Sequence, residues 1–362
     1  MMESFPLKTM SIEEAIDAQF KLVDIIHQHF KGDEFLNCGD LGVVYGEYPK
    51  YTKMTERVLA DFFGSEDAVL TRGAGTGAIR SYLTLHLKAG SKVLVHDAPI
   101  YSTTADTLAD ISAQTVKFDF NSFDKSIPND VNMAIVQHSR QKMEDRYDIE
   151  QVLKKIKKTS PNLPVLVDDN YTVMKVKKSV ISMGADASGF SLFKLLGKEG
   201  IGCVLCSKAD GERIRSKNYS GGSKVQGFEA MECLRSLVYA PAAFAIQSRE
   251  VDKIVEKLNN GMVDGVEKAV RANAQSVVAL VKFKEPIAKK AIAIANELGA
   301  APYPVGAESR YEVAAMFYRL SGTFTASGPA LSEYAIRINP MRCGSDTVIR
   351  ILKKIVSCCK GV

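Results

Sequence analysis

The chain is expected to be an α/β protein, with a large domain on a mostly parallel sheet flanked by helices and a small C-terminal α+β domain. Two observations lead there. Between about residues 70 and 206, short apolar runs alternate with runs of helical periodicity, the pattern of strands joined by helical crossovers. After about residue 240 that alternation gives way to a different mix of helices and strands. A chain of 362 residues has room for two such domains. The boundaries this suggests are 1–45 for an N-terminal helix and arm, 46–240 for the large domain and 241–362 for the small one.

Each element follows from local pattern. Ser11 to Phe30 reads as an amphipathic helix opened by Ser11-Ile12-Glu13-Glu14, close to a capping box. A turn-rich loop, Asn37 to Gly42, follows it. Leu70 ends the first apolar strand. Thr76 to His86 is helical, because Ile79, Tyr82, Leu83, His86 and Leu87 share one face and Gly90 supplies a stop. Strands are expected at Lys92 to His96, Thr115 to Phe120, Met133 to Gln137, Pro164 to Asp168, Gly189 to Leu192 and Gly202 to Cys206. A helix near Asp148 to Lys157 separates two of them. In the last third, helices are expected at Val251 to Asn259, Glu285 to Leu298 and Ser345 to Val356. Strands are expected there near Val278 to Phe283, Ala314 to Leu320 and Tyr334 to Ile338.

Composition narrows the function classes. The chain is 46% apolar and 25% charged, ordinary for a protein folded in water. No apolar run approaches the roughly 18 residues of a membrane span. Met1-Met2-Glu3-Ser4-Phe5-Pro6 lacks the layout of a secretion signal, so a cytoplasmic location is expected. The net charge of +5 is spread over 47 basic and 42 acidic residues. The densest basic run, Lys154-Lys155-Ile156-Lys157-Lys158, ends an expected helix and complements its dipole. Neither nucleic acid nor membrane is therefore an expected partner. The seven cysteines have no framework spacing, and Cys203-Val204-Leu205-Cys206 lies in an expected strand with no second pair. They are read as small core residues rather than metal ligands, with Cys358 and Cys359 near the surface.

Three features carry chemistry. The first is Thr71-Arg72-Gly73-Ala74-Gly75-Thr76-Gly77, a glycine loop between a strand and a helix. Glycines let backbone N–H groups approach a phosphate, the helix N-terminus favours an anion, and the Thr76 hydroxyl adds a donor. The loop lacks the Lys-Ser/Thr of a Walker motif and the spacing of a dinucleotide fingerprint. The second is Val167-Asp168-Asp169-Asn170-Tyr171, carboxylates at the end of an apolar strand. Such a carboxylate can hold the pyridine nitrogen of pyridoxal phosphate (PLP) protonated. Asp168 is preferred because the spacing Asp-x-x-Tyr follows from it, with Asp169 the alternative. The third is Lys194, within Ser191-Leu192-Phe193-Lys194-Leu195-Leu196-Gly197-Lys198. Apolar neighbours disfavour its charged form, as a nucleophilic amine needs. Lys198 is the competing lysine. Phosphate cradle, acid and lysine in that order suit PLP.

With these motifs the chain resembles the fold-type I PLP-dependent superfamily, the aspartate-aminotransferase-like enzymes. Phe193-Lys194-Leu195-Leu196-Gly197 is similar to the lysine segment of selenocysteine-synthase-like members. Gly-Ala-Gly-Thr-Gly-Ala-Ile-Arg from Gly73, Asp-Asp-Asn-Tyr from Asp168 and Tyr-Ser-Gly-Gly-Ser from Tyr219 resemble the bacterial YhfS-like group. The resemblance implies a seven-stranded, mostly parallel sheet in the large domain. It also implies a homodimer with shared active sites and a Schiff base between PLP and Lys194. It assigns Gly75, Thr76 and Gly77 to the phosphate, with Ser191 reaching it from the lysine side. Tyr101 is expected to stack on the ring and His138 to contact the ring hydroxyl. Tyr45, Tyr48 and the Ser220-Gly221-Gly222-Ser223 turn are expected to enter the neighbour's site. Arg337 is expected to clamp a substrate carboxylate through two hydrogen bonds.

The catalytic residues expected are thus Lys194, Asp168 and Tyr101, acting on an amino acid or related amine. The Asn-Pro-x-Gly motif of typical aminotransferases does not appear near Gln137. That favours a lyase, by side-chain elimination or replacement, over an aminotransferase. A PLP-binding regulatory protein without turnover is the alternative of a different class.

Overall fold

A computed structural model describes residues 3–42, 47–273 and 276–360. The chain divides into two compact units. The larger consists of Glu13–His138 and Tyr147–Pro241, and the smaller of Met1–Ile12, Ser139–Arg146 and Ala242–Val362.

The larger unit begins with α1 (Ile12–His29) and α2 (Lys50–Phe63), followed by β1 (Asp67–Arg72) and α3 (Ala74–His86). Next come β2 (Lys92–His96), α4 (Ser102–Asp110), β3 (Gln114–Phe118), β4 (Met133–Gln137) and α5 (Ile149–Thr159). Then follow β5 (Val165–Asp168), β6 (Ala187–Ser191), β7 (Ile201–Cys206), α6 (Lys208–Lys217) and α7 (Gly227–Asn259). The seven strands form one sheet in the order β1-β7-β6-β5-β4-β2-β3. β7 runs antiparallel to both its neighbours, and every other pairing is parallel.

Both faces of this sheet are covered, and alternation along the strands assigns side chains to each. Ala78, Ile79, Tyr82 and Leu83 of α3 pack with Val69, Val95, Ile135, Leu166 and Ala187. Ile149, Val152, Leu153 and Ile156 of α5 pack on the other face with Leu94, Ala134, Val136, Val165 and Val167. Leu166 faces α3 while Val165 and Val167 face α5, so Asp168 continues the α3 side.

The smaller unit holds β8 (Val266–Asn273), β9 (Val277–Phe283), α8 (Ala288–Glu297) and β10 (Met316–Tyr318). It continues with α9 (Gly322–Ser327), α10 (Leu331–Tyr334), β11 (Ala335–Asn339) and α11 (Ser345–Lys360). Its sheet has the order β10-β11-β9-β8, all antiparallel. The helices α2, α4, α6, α9 and α10 are not among the expected elements, and two further elements depart from expectation. β8 has no clear apolar run, since its burial alternates irregularly around a register shift at Val266/Lys268. The helix expected at Val251 to Asn259 is the end of the 33-residue α7, which runs through Pro241. Leu234, Leu237, Ala240 and Phe244 keep a buried stripe going across the proline.

Candidate active site

The motif residues of the larger unit converge where β1, β5 and β6 end. After β1, Gly73 (φ 91°) and Ala74 (φ 54°) are both left-handed, which turns the chain sharply into α3. Their N–H groups donate to the Gly200 carbonyl at 2.8 and 2.9 Å, and the Gly77 N–H closes on the Gly73 carbonyl at 2.9 Å. The amides of Gly75 and Thr76 precede the helical ladder and make no such bond among the described residues. Neither α3 nor α4 carries an acid in its first turn, and neither has a side-chain cap. The Thr76 hydroxyl lies 3.0 Å from that of Thr103 at the start of α4, so the two helix openings meet. Two free amides, a hydroxyl pair and unopposed helix ends fit a phosphate.

The glycines also meet a packing requirement. A Cβ on Gly75 would lie 1.9 Å from Asn170 Oδ1, and one on Gly77 would lie 1.8 Å from the Arg72 carbonyl oxygen. They permit close packing of the loop. Through Gly75 the glycine loop touches the turn that follows Asp168. Asn170 Nδ2 donates to Asp168 Oδ1 at 2.8 Å, while Asn170 Oδ1 is buried without a hydrogen-bond partner.

The two adjacent aspartates have separate fates. Asp169 Oδ1 pairs with His138 Nδ1 at 2.8 Å and accepts from the Thr172 hydroxyl, and Oδ2 accepts from Ser188 at 3.3 Å. Asp168, 8% exposed, accepts only from Asn170 among the hydrogen bonds resolved. Burial pushes its carboxyl above the usual carboxylate range, against Asn170 and the positive charge of Lys194. His138 is buried with Asp169, and its N–H donates to the Asp168 carbonyl at 3.0 Å. Its ring is seen on Asp169.

Lys194 stands in a short 3-10 turn (Phe193–Leu195) directly after β6, with Leu196 left-handed beyond it. Its N–H approaches Ser191 Oγ at 3.4 Å. Its ammonium lies over the Tyr171 ring, 3.8 Å from the centroid. Burial pushes the Tyr101 phenol above its usual range, with Tyr171 adding to the shift and Lys194 opposing it. Lys194, Asp168, Tyr101 and Tyr171 therefore share one electrostatic neighbourhood. Lys198 is turned away from it, 3.4 Å from Glu232 and above the Phe228 ring.

The remaining expected site residues are described by their own partners. Tyr45 falls outside the described residues. The Tyr48 hydroxyl donates to Glu56 at 2.6 Å within its own unit. Ser223 is half-buried in an exposed turn, its N–H on the Ser220 carbonyl at 3.0 Å. Arg337 belongs to the smaller unit, where it is 5% exposed. There its Nε donates to the Arg319 carbonyl at 2.7 Å and its guanidinium lies over the Tyr318 ring. Sequence reasoning assigned no role to Tyr171 or Asn170, although the Asp-x-x-Tyr spacing already pointed at the tyrosine.

Known proteins share the sequence and the fold of this chain. Residues 47–237 match the aminotransferase class-V family, and residues 252–352 match the YhfS-like C-terminal domain. A protein of Escherichia coli K12, the uncharacterised YhfS, is 46% identical over 361 residues, covering 98% of this chain and 99% of its own. The crystal structure of the E. coli pyridoxal-5'-phosphate-dependent protein YhfS superposes with a TM-score of 0.95 at 45% identity, covering 99% of this chain and 100% of that one. A Listeria innocua protein described provisionally as a cystathionine β-lyase involved in aluminum resistance superposes at 0.72 with 20% identity, covering 95% and 94%. Cystathionine γ-synthase of Xanthomonas oryzae, solved with aminoacrylate and cysteine, does so at 0.69 with 16% identity, covering 94% and 97%. These last two show the fold.

Proposed function

The chain belongs to the aminotransferase class-V family, in the YhfS-like group, and from that premise we propose that it is a PLP-dependent enzyme acting on an amino acid or related amine. The observation that carries this is the meeting of Lys194, Asp168, Tyr101 and Tyr171 beside an uncapped helix opening. When bound, PLP supplies an aldehyde that takes up an amine and a ring that accepts the electrons released at the amine's α carbon.

The chain's own residues then have distinct tasks. The Gly75 and Thr76 amides and the Thr76 hydroxyl hold the phosphate. Asp168 is buried and short of donors, and a protonated pyridine nitrogen would supply both a donor and a compensating charge. Lys194 Nζ would hold the aldehyde and would be the group placed to carry a proton at the α carbon. Tyr101 covers the ring and excludes water. Ser191 supports the lysine turn.

The reaction we favour is side-chain elimination or replacement. The absence of Asn-Pro-x-Gly near Gln137 supports it, and the names of the fold neighbours are compatible with it. We also take the assembly to be a homodimer, for which exposed Leu36, Leu41 and Tyr219 offer apolar surface. One experiment separates the chemistries. PLP-loaded protein is screened with amino acids carrying a leaving group on the side chain, and ammonia and 2-oxo acid are assayed together. Elimination releases both in equal amounts. Oxo acid without ammonia, dependent on an added acceptor oxo acid, would make it an aminotransferase. A bound chromophore with no product from any amine would make it a regulatory binder.

A further inference from the structure

We propose that Arg72 and Glu229 are a positioning pair that holds the turn before α3 in the shape that offers the Gly75 and Thr76 amides to the cofactor phosphate. This rests on the PLP reading above, and it assigns a task to two residues outside the cofactor pocket.

The turn needs an external hold. Gly73 adopts the left-handed region freely, but Ala74 at φ 54° is strained. Relaxation of Ala74 would redirect the two amides that follow it. One hold is the Gly200 carbonyl, which takes both preceding N–H groups. The other lies on the side chain just before the strained pair. Arg72 grips Glu229 through two parallel bonds, Nη1 to Oε1 at 2.7 Å and Nη2 to Oε2 at 2.6 Å. Nη2 also donates to the Lys224 carbonyl at 3.0 Å, and Glu229 Oε2 accepts the Gln226 N–H at 2.9 Å.

Geometry matters more here than ion-pair energy. The Arg72 side chain is 39% exposed, and a pair so exposed contributes little to stability. A forked arginine–carboxylate contact does fix orientation, which a lysine cannot reproduce. The pair joins the last residue of β1 to the first turn of α7 and to the segment following the Ser220–Ser223 turn. Disturbing it would loosen the phosphate loop from outside and leave Asp168, Lys194 and Tyr101 in place.

The test compares Glu229→Gln and Arg72→Lys with the unaltered protein for affinity toward PLP, unphosphorylated pyridoxal and inorganic phosphate, with circular dichroism as the fold control. PLP and phosphate affinity should fall about tenfold in each variant, and pyridoxal affinity should not change. Adding Ala74→Gly to Glu229→Gln should restore part of the loss, because glycine takes the turn without strain. Equal losses for PLP and pyridoxal would reduce the pair to general structural support and overturn the proposal. So would no loss at all, or no rescue by Ala74→Gly. Should the unaltered protein take up no PLP, the cofactor reading fails, and the inorganic phosphate measurements still decide the pair.

Discussion

The Lys194 ammonium lies over the face of the Tyr171 ring, 3.8 Å from its centre. A cation on an aromatic face is held by roughly 0.5–2 kcal/mol, less than an ion pair would cost to break in a buried site. The ring thereby aims the Lys194 ammonium. Lys198, the lysine four residues on, instead faces the carboxylate of Glu232 at 3.4 Å. After borohydride reduction of PLP-loaded protein, mass spectrometry should find the cofactor on the Lys194 peptide. Lys194→Ala should lose it and about a thousandfold or more of turnover, with an unchanged circular dichroism spectrum. Lys198→Ala should keep both. Cofactor retained in Lys194→Ala and lost in Lys198→Ala would exchange the two roles.

Asp168 offers a prediction with opposite signs in two states. Burial raises its carboxyl above the unfolded value, so in the cofactor-free chain its charge opposes folding as pH rises through the carboxylate range. Asp168→Asn keeps the acceptor for Asn170 and removes the charge. The cofactor-free variant should melt at the same temperature as the parent or higher near neutral pH. The PLP-loaded variant should melt lower than its parent, because the pyridine nitrogen has lost its anion. Paired thermal melts with and without PLP check this. A variant that loses stability equally in both states would make Asp168 a structural residue.

Much of this site was legible in the sequence because each part sits at the end of an apolar run. Val165-Leu166-Val167 announces a buried strand, so Asp168 had to emerge at its carboxyl edge, and Lys194 follows β6 for the same reason. Choosing between Asp168 and Asp169 from sequence rested on spacing alone. The structure separates them by side-chain partners, because strand alternation sends neighbours to opposite faces. The glycines were legible as a loop, but their purpose depended on Asn170 and the Arg72 carbonyl, contacts between distant parts of the chain. Arg72 and Glu229, 157 positions apart, form a pair that no local pattern announces. In the smaller unit β8 was hidden because its bulge breaks the alternation by which strands are recognised.

Acid stability of the smaller unit should depend on Glu250. Its Oε2 accepts the Ser345 N–H at 2.9 Å, which places a carboxylate at the start of α11. Its Oε1 lies 2.9 Å from the Lys253 ammonium. Burial works against the charge, but the Ser345 amide and Lys253 outweigh it and hold the carboxyl at about 2, down from 4.5. A lowered folded value means a stabilising contribution that is complete above about pH 4.5 and fades as pH falls toward about 2, on the order of 2–3 kcal/mol in all. Glu250→Gln removes the charge, so it should lower the urea midpoint at neutral pH and flatten the decline between about pH 5 and pH 2.5. Near pH 2 the variant and the parent should converge. If the gap between them stays constant across that range, the contribution comes from the shape of the side chain and not from its ionisation.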